Sequence, residues 1–196
     1  MQRISAFTIS IALLFSMSLF AGDDEDKKDQ PAEISVHIRD YCDPVTFVQI
    51  GCRRDTSSGF ITLSGFQAEL GAEKSVGAWR FAVSQTKAEE GANLNITSLG
   101  GETHTFTRVK KFGGGFVVPL NAASGNPVPA PECAQVVNGN LVPQPASPDN
   151  IFLPAGSSAT AQVKEGEVAN FQCCIHPWMR TTIDAREKDE KEGGNH

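Results

Sequence analysis

This chain is short of the residues that binding chemistries usually spend freely. Its 196 residues include four histidines, five cysteines and three methionines. Two of those methionines are Met1 and Met17, so Met179 is the only one in the body of the chain. Positive charge is also scarce: 17 Lys and Arg against 23 Asp and Glu leave a formal net charge of −6, which argues against general nucleic-acid binding. No C-x-x-C is present, which counts against the usual thiol–disulfide oxidoreductase. No segment holds a sustained helical period, and there is no internal repeat. Beyond residue 21 no apolar run is long enough to span a bilayer.

The first 21 residues supply the one long apolar stretch. Arg3, an apolar run and a small residue at Ala21, followed at once by "GDDEDKKD", predict a signal peptide and a periplasmic or secreted protein. The alternative is an uncleaved anchor, which Thr8, Ser10, Ser16 and Ser18 disfavour by diluting the run. With the signal removed, no membrane span is expected. Export places Cys42, Cys52, Cys133, Cys173 and Cys174 in an oxidising compartment. An odd count leaves one thiol over. The other four allow three pairings, of which Cys42–Cys52, flanking a short loop, is the simplest start.

Residues 22–33 read as a charged tether and 186–196 as a charged tail. Between them, 34–75 reads as an N-terminal β extension with the runs "EISVHI" and "GFITLSGF", and 76–185 as the main domain. There "AWRFAV", "ANLNITSL" and "THTFTRV" are separated by glycine turns, and Leu94 and Ile96 alternate with polar residues. Residues 124–150 are dense in proline, which forbids helix and central strand. So long a loop is usually functional or pinned, and Cys133 offers a pin. Arg108, Lys110 and Lys111 read as a solvated strand end. The fold class expected is all-β, a sandwich.

The scarce residues are concentrated in one place, "FQCCIHPWMRTTI", residues 171–183. Pro177 rules out a helix interior there. A strand ending at Cys173, a tight loop carrying His176 and Met179, and a new strand from Arg180 is the economical reading. Adjacent strand side chains point to opposite faces, so Cys173 and Cys174 do not serve one site together. Thiolate, imidazole and thioether form a soft donor set suited to copper. A further imidazole would complete the trigonal two-histidine, one-cysteine site with a weak axial methionine. His196 ends the tail and His37 lies in the extension; His104 follows a glycine turn where a strand resumes, and is the natural additional ligand.

On these residues the chain resembles the cupredoxins. "CCIHPWM" has their C-x-x-H-P-x-M ligand loop and is similar to the plastocyanin and amicyanin group; "EEGANLNITSLGGETHTFT" resembles their first-histidine segment and "AQVKEGEVANFQC" the strand leading into the cysteine. The likeness covers about residues 76–185. It implies a Greek-key cupredoxin-like sandwich holding one type 1 copper on His104, Cys173, His176 and Met179. The family's usual asparagine before the first histidine is replaced by Ser98, and the hydroxyl residue after the copper cysteine by Cys174. A Cys133–Cys174 disulfide can replace the tie that this pair makes across the loop.

The function implied is one-electron transfer between redox partner proteins, not enzymatic turnover. A copper enzyme needs a second, open site rich in histidine, and only His37 and His196 are left to build one. Copper storage or delivery by the same ligands is the competing reading. A thiol redox protein using the vicinal pair and a zinc site are weaker, because adjacent cysteines make strained disulfides and structural zinc rarely takes methionine.

Overall fold

The computed structural model describes residues 33–48, 51–52, 60–89, 91–164 and 166–186. The expected signal peptide (1–21), the tether apart from Glu33, and the tail beyond Arg186, with His196, lie outside the described residues.

Period-two patterning accounts for the strands. In β1 (Glu33–Asp40), Ile34, Val36 and Ile38 are fully buried while Glu33 and Ser35 are exposed. In β3 (Asn93–Ser98), Leu94 and Ile96 are buried between half-buried asparagines and Thr97. With β2 (Trp79–Val83) and β8 (Ser158–Gln162) they form a four-stranded sheet in the order β2-β1-β3-β8. The second sheet runs β10-β9-β4-β7, from β4 (His104–Val109), β7 (Asn150–Leu153), β9 (Val168–Gln172) and β10 (Arg180–Asp184). The apolar faces meet in one core: Phe81 of β2 packs edge-on against Phe106 of β4, with ring centroids 5.2 Å apart, and Phe106 stacks on Phe171 of β9 at 4.3 Å. The chain changes sheet between β3 and β4, between β7 and β8, and between β8 and β9, as in Greek-key sandwiches. The fold is the all-β sandwich expected.

Several details depart from the sequence reading. Residues 34–75 are not an appendage. β1 lies inside the first sheet, antiparallel to β2 and parallel to β3, with Ile34 opposite Leu94 and Val36 opposite Ile96. A strand with so apolar a face needs a partner sheet to cover it, which a free extension lacks. "GFITLSGF" is not a strand either: only Ile61 bridges, to Cys42, before α1 (Leu63–Glu73) begins. The Thr62 hydroxyl accepts the Gly65 N–H at 3.2 Å, and Lys74 closes the helix in the left-handed region. A side-chain cap thus overrides the β-like composition.

The proline-rich region also carries order. α2 (Val118–Ala123) precedes it, and β5 (Ala134–Val137) and β6 (Asn140–Pro143) form a separate ribbon within it. The turn is Asn138-Gly139, with φ of 52° and 80°, the residue pair that a two-residue hairpin turn favours. Proline did exclude this region from the two main sheets. Arg108 is not a solvated strand end: its guanidinium lies over the Phe171 ring and bonds Asp149, Glu167 and the Gln162 carbonyl. Lys110 and Lys111 are exposed.

Disulfides join Cys42 to Cys52 and Cys133 to Cys174, leaving Cys173 as the free cysteine. The second closes the longer loop, with partners 41 residues apart against 10. On the chain-entropy estimate they contribute about 4 and about 3 kcal/mol. The Cys133→Ala/Cys174→Ala variant is therefore expected to lose more unfolding free energy than Cys42→Ala/Cys52→Ala, by denaturant titration with the slope fitted for each variant. Unreduced, denatured wild-type protein should show one titratable thiol, at Cys173.

Candidate metal centre

The site forms where the second sheet runs out at one end. β4 opens with His104, and β9 ends at Gln172, one residue before Cys173. Pairing of β4 with β9 brings the two segments together, and the Thr105 N–H points at the Cys173 sulfur, 3.4 Å away. The chain then turns through "CCIHPWM" into β10. The turn is closed by its own backbone: the Cys173 N–H bonds the Met179 carbonyl at 3.0 Å and the Met179 N–H bonds the His176 carbonyl at 2.9 Å. The His176 N–H also approaches the sulfur, at 3.5 Å.

Three of the four expected ligands converge in this frame. Cys173 Sγ lies 3.8 Å from His104 Nδ1 and 4.0 Å from His176 Nδ1. All three residues are buried. Met179 is buried in the same core cluster as Cys173 and follows Trp178 at the end of the loop. His37 lies in β1 between Ala82 and Thr97 and takes no part in the cluster. Cys174 turns the other way, into a small cluster with Val109, Ala130 and Cys133.

The far nitrogen of each imidazole faces a carboxylate. His104 Nε2 is 3.0 Å from Asp40, a residue with no exposed surface at the end of β1. His176 Nε2 is 3.3 Å from Glu102, which also accepts the Trp79 indole N–H at 2.9 Å. Rings enclose His176, with Trp178 at 5.3 Å and Trp79 at 6.3 Å between centroids, and Phe66 packs against both tryptophans. Burial opposes a charge on His104, but the bond to Asp40 and the pairing with Cys173 outweigh it and raise the imidazole from 6.5 to about 10. Burial likewise opposes the Cys173 thiolate, yet the two imidazoles hold it well below the ordinary value of 9.0. The metal-free protein thus favours a thiolate facing an imidazolium.

The loop is tied down without an asparagine and hydroxyl pair across it. Ser98 is buried, and its hydroxyl makes no hydrogen bond among the described residues. Instead the Cys174 N–H donates to the Thr105 hydroxyl at 2.7 Å, one residue after the first histidine. The Cys174 carbonyl accepts the Phe116 N–H at 2.9 Å, and a Cβ at Gly115 would sit 1.7 Å from that oxygen. The Cys133–Cys174 disulfide completes the anchor. Sequence reasoning missed Asp40, Glu102, Trp79 and Thr105. Nothing local marks the first three; only the adjacency of Thr105 to His104 was a usable signal.

The donors fit a copper ion. Two ring nitrogens and one thiolate, each nitrogen turned inward by a partner on its other side, form a borderline-soft trigonal set. Cys173 Sγ and the two Nδ1 atoms lie close enough together that one ion could be held by all three.

No family model and no curated protein matches the chain. Among solved structures it is similar to a novel purple cupredoxin from Nitrosopumilus maritimus, at 13% identity and a TM-score of 0.34, over 79% of this chain and 98% of that one. So distant a likeness carries no argument about the site. The architecture is cupredoxin-like on its own terms: a two-sheet sandwich with the first-histidine strand and the cysteine loop at one end.

The electrostatics fix how the metal-free protein responds to pH. His104 is raised on folding, so its share of stability is complete below about pH 6.5 and drains away as pH climbs towards about 10. Cys173 is depressed, so its share is complete above about pH 9.0 and drains as pH falls. Between those limits the two slopes cancel. Unfolding free energies of the wild type minus those of Cys173→Ala, measured by denaturant from pH 5 to 10, should form a plateau that declines at both ends. A difference flat over the whole range would show that the pair is not charged.

Proposed function

We propose that this is an exported blue copper protein that holds one type 1 copper on His104, Cys173, His176 and Met179 and passes single electrons between redox partner proteins. The observation that carries the reading is the convergence of one thiol sulfur and two Nδ1 atoms at 3.8 and 4.0 Å in a buried pocket. When bound there, copper supplies a one-electron couple between Cu(I) and Cu(II). The chain contributes rigidity. Cys173 receives two backbone N–H groups, the loop is pinned through Cys174, and the imidazoles are held from behind. A donor set that need not rearrange between oxidation states suits a carrier. Met179, buried in the same core cluster as Cys173, would be the weak fourth donor through which such a site tunes its potential.

An enzyme reading finds less support. A copper enzyme needs a second centre rich in histidine, and His37 lies in β1 outside the cluster. Export rests on residues 1–21 and agrees with two disulfides.

Loading with Cu(II) tests the reading. The protein should show an intense thiolate-to-copper band in the visible and a type 1 electron paramagnetic resonance signal. Cys173→Ser should abolish the band and Cys174→Ser should leave it. His104→Gly should lose the spectrum and regain it with added imidazole. Reversible one-electron cycling supports the carrier; tight Cu(I) binding with irreversible cycling would instead make it a storage or delivery protein.

A further inference from the structure

Asp40 and Glu102 have no part in the proposed ligand set, yet each faces the back of one of its imidazoles. Asp40 sits at the end of β1, wholly buried, and is reached only because β1 lies inside the first sheet. Its two oxygens accept the Gly101 and Glu102 N–H groups at 2.6 and 2.7 Å, and Oδ2 also meets His104 Nε2 at 3.0 Å. The approach is tight enough that a Cβ at Gly100 would lie 1.9 Å from Oδ1. The same turn then carries Glu102 to His176 Nε2, where the Trp79 indole orients it. One short segment, 100–102, thus couples the two carboxylates.

We propose that Asp40 and Glu102 are a pair of positioning carboxylates that fix both imidazoles with Nδ1 facing inward and bias the site towards Cu(II). The inference rests on the copper reading above. A carboxylate behind an imidazole selects the Nε2–H tautomer and makes Nδ1 a stronger donor. It also adds negative charge in a buried setting, where charge is weakly screened. Both effects favour the more highly charged state of the metal. Reduction of the loaded site adds one electron from a redox partner and requires no proton transfer, so the bias reads out as a lowered reduction potential. Acting on both histidines, the pair offsets the burial of the centre, which taken alone favours the lower charge.

Glu102→Gln and Asp40→Asn separate this role from a structural one. Cu(II) and Cu(I) affinities are measured apart, by chelator competition, and the potential by spectroelectrochemistry. Loss of an outer-shell partner typically costs 10–100-fold in metal affinity. The expected result is about a tenfold loss for Cu(II) with Cu(I) little changed, which raises the potential by about 59 mV. Equal losses in both states, or an unchanged potential, would overturn the proposal. Asp40→Asn removes a partner of two backbone amides and is open to misfolding; Glu102→Gln keeps the indole's acceptor and decides the matter alone. Nitrogen NMR of the metal-free protein in a Cys173→Ala background, where no thiolate competes for the Nδ1 proton of His176, gives a readout independent of copper. His176 should favour the Nε2–H form in that background and lose that preference when Glu102→Leu removes the acceptor oxygen; no change in tautomer counts against the positioning role. A wild-type protein that shows no thiolate-to-copper band removes the copper reading, while the tautomer result still stands or falls by itself.

Discussion

The Cys173 sulfur is surrounded by groups that favour its charged form. Two backbone N–H groups and two imidazole nitrogens converge on it in a place closed to water. Burying such a charge is costly unless it is paired, and pairing demands that distant parts of the chain arrive together. His104 must stand at the start of β4, the 173–179 loop must close on itself, and Asp40 must reach the rear of His104 from β1. Much of the architecture around this end of the sandwich follows from that one requirement. It explains why the first sheet contributes to a cluster whose sulfur and imidazoles lie at the end of the second, and why the approach of 113–116 to Cys174 leaves no room for a side chain at Gly115.

The sequence was most legible where chemistry is compressed into a few residues. "CCIHPWM" announced its loop, its flanking strands and the inward member of the vicinal pair, because alternation along a strand leaves little freedom in such a stretch. His104 followed from a turn signal and a small histidine inventory. β3 was readable from polar–apolar alternation, and β4 from the glycine turn before it. What stayed hidden was long-range or encoded by a single local bond. The parallel pairing of β1 with β3 joins segments some sixty residues apart and has no local marker. One threonine hydroxyl turned a β-like stretch into α1. The β5–β6 ribbon carried an Asn-Gly signal that the surrounding prolines masked.

The missed residues share a property. Asp40, Glu102 and Trp79 are ordinary in sequence and acquire meaning only through their neighbours in space. Donor atoms are recognisable as a type, whereas the groups that orient donors are defined by geometry. A reading of donors alone therefore recovers what kind of ion a site takes, and says little about how strongly it prefers one oxidation state.

The placement of Asp40 on β1 has a kinetic meaning as well. Its contact with His104 spans 64 residues, and that of His104 with Cys173 spans 69. Contacts so far apart are closed late, after the entropy of large loops has been lost. The first described strand thus supplies the acceptor behind His104, whose thiol neighbour arrives only with the 173–179 loop. Any metal held by Cys173 and the two imidazoles would therefore meet aligned donors only once these distant segments have come together.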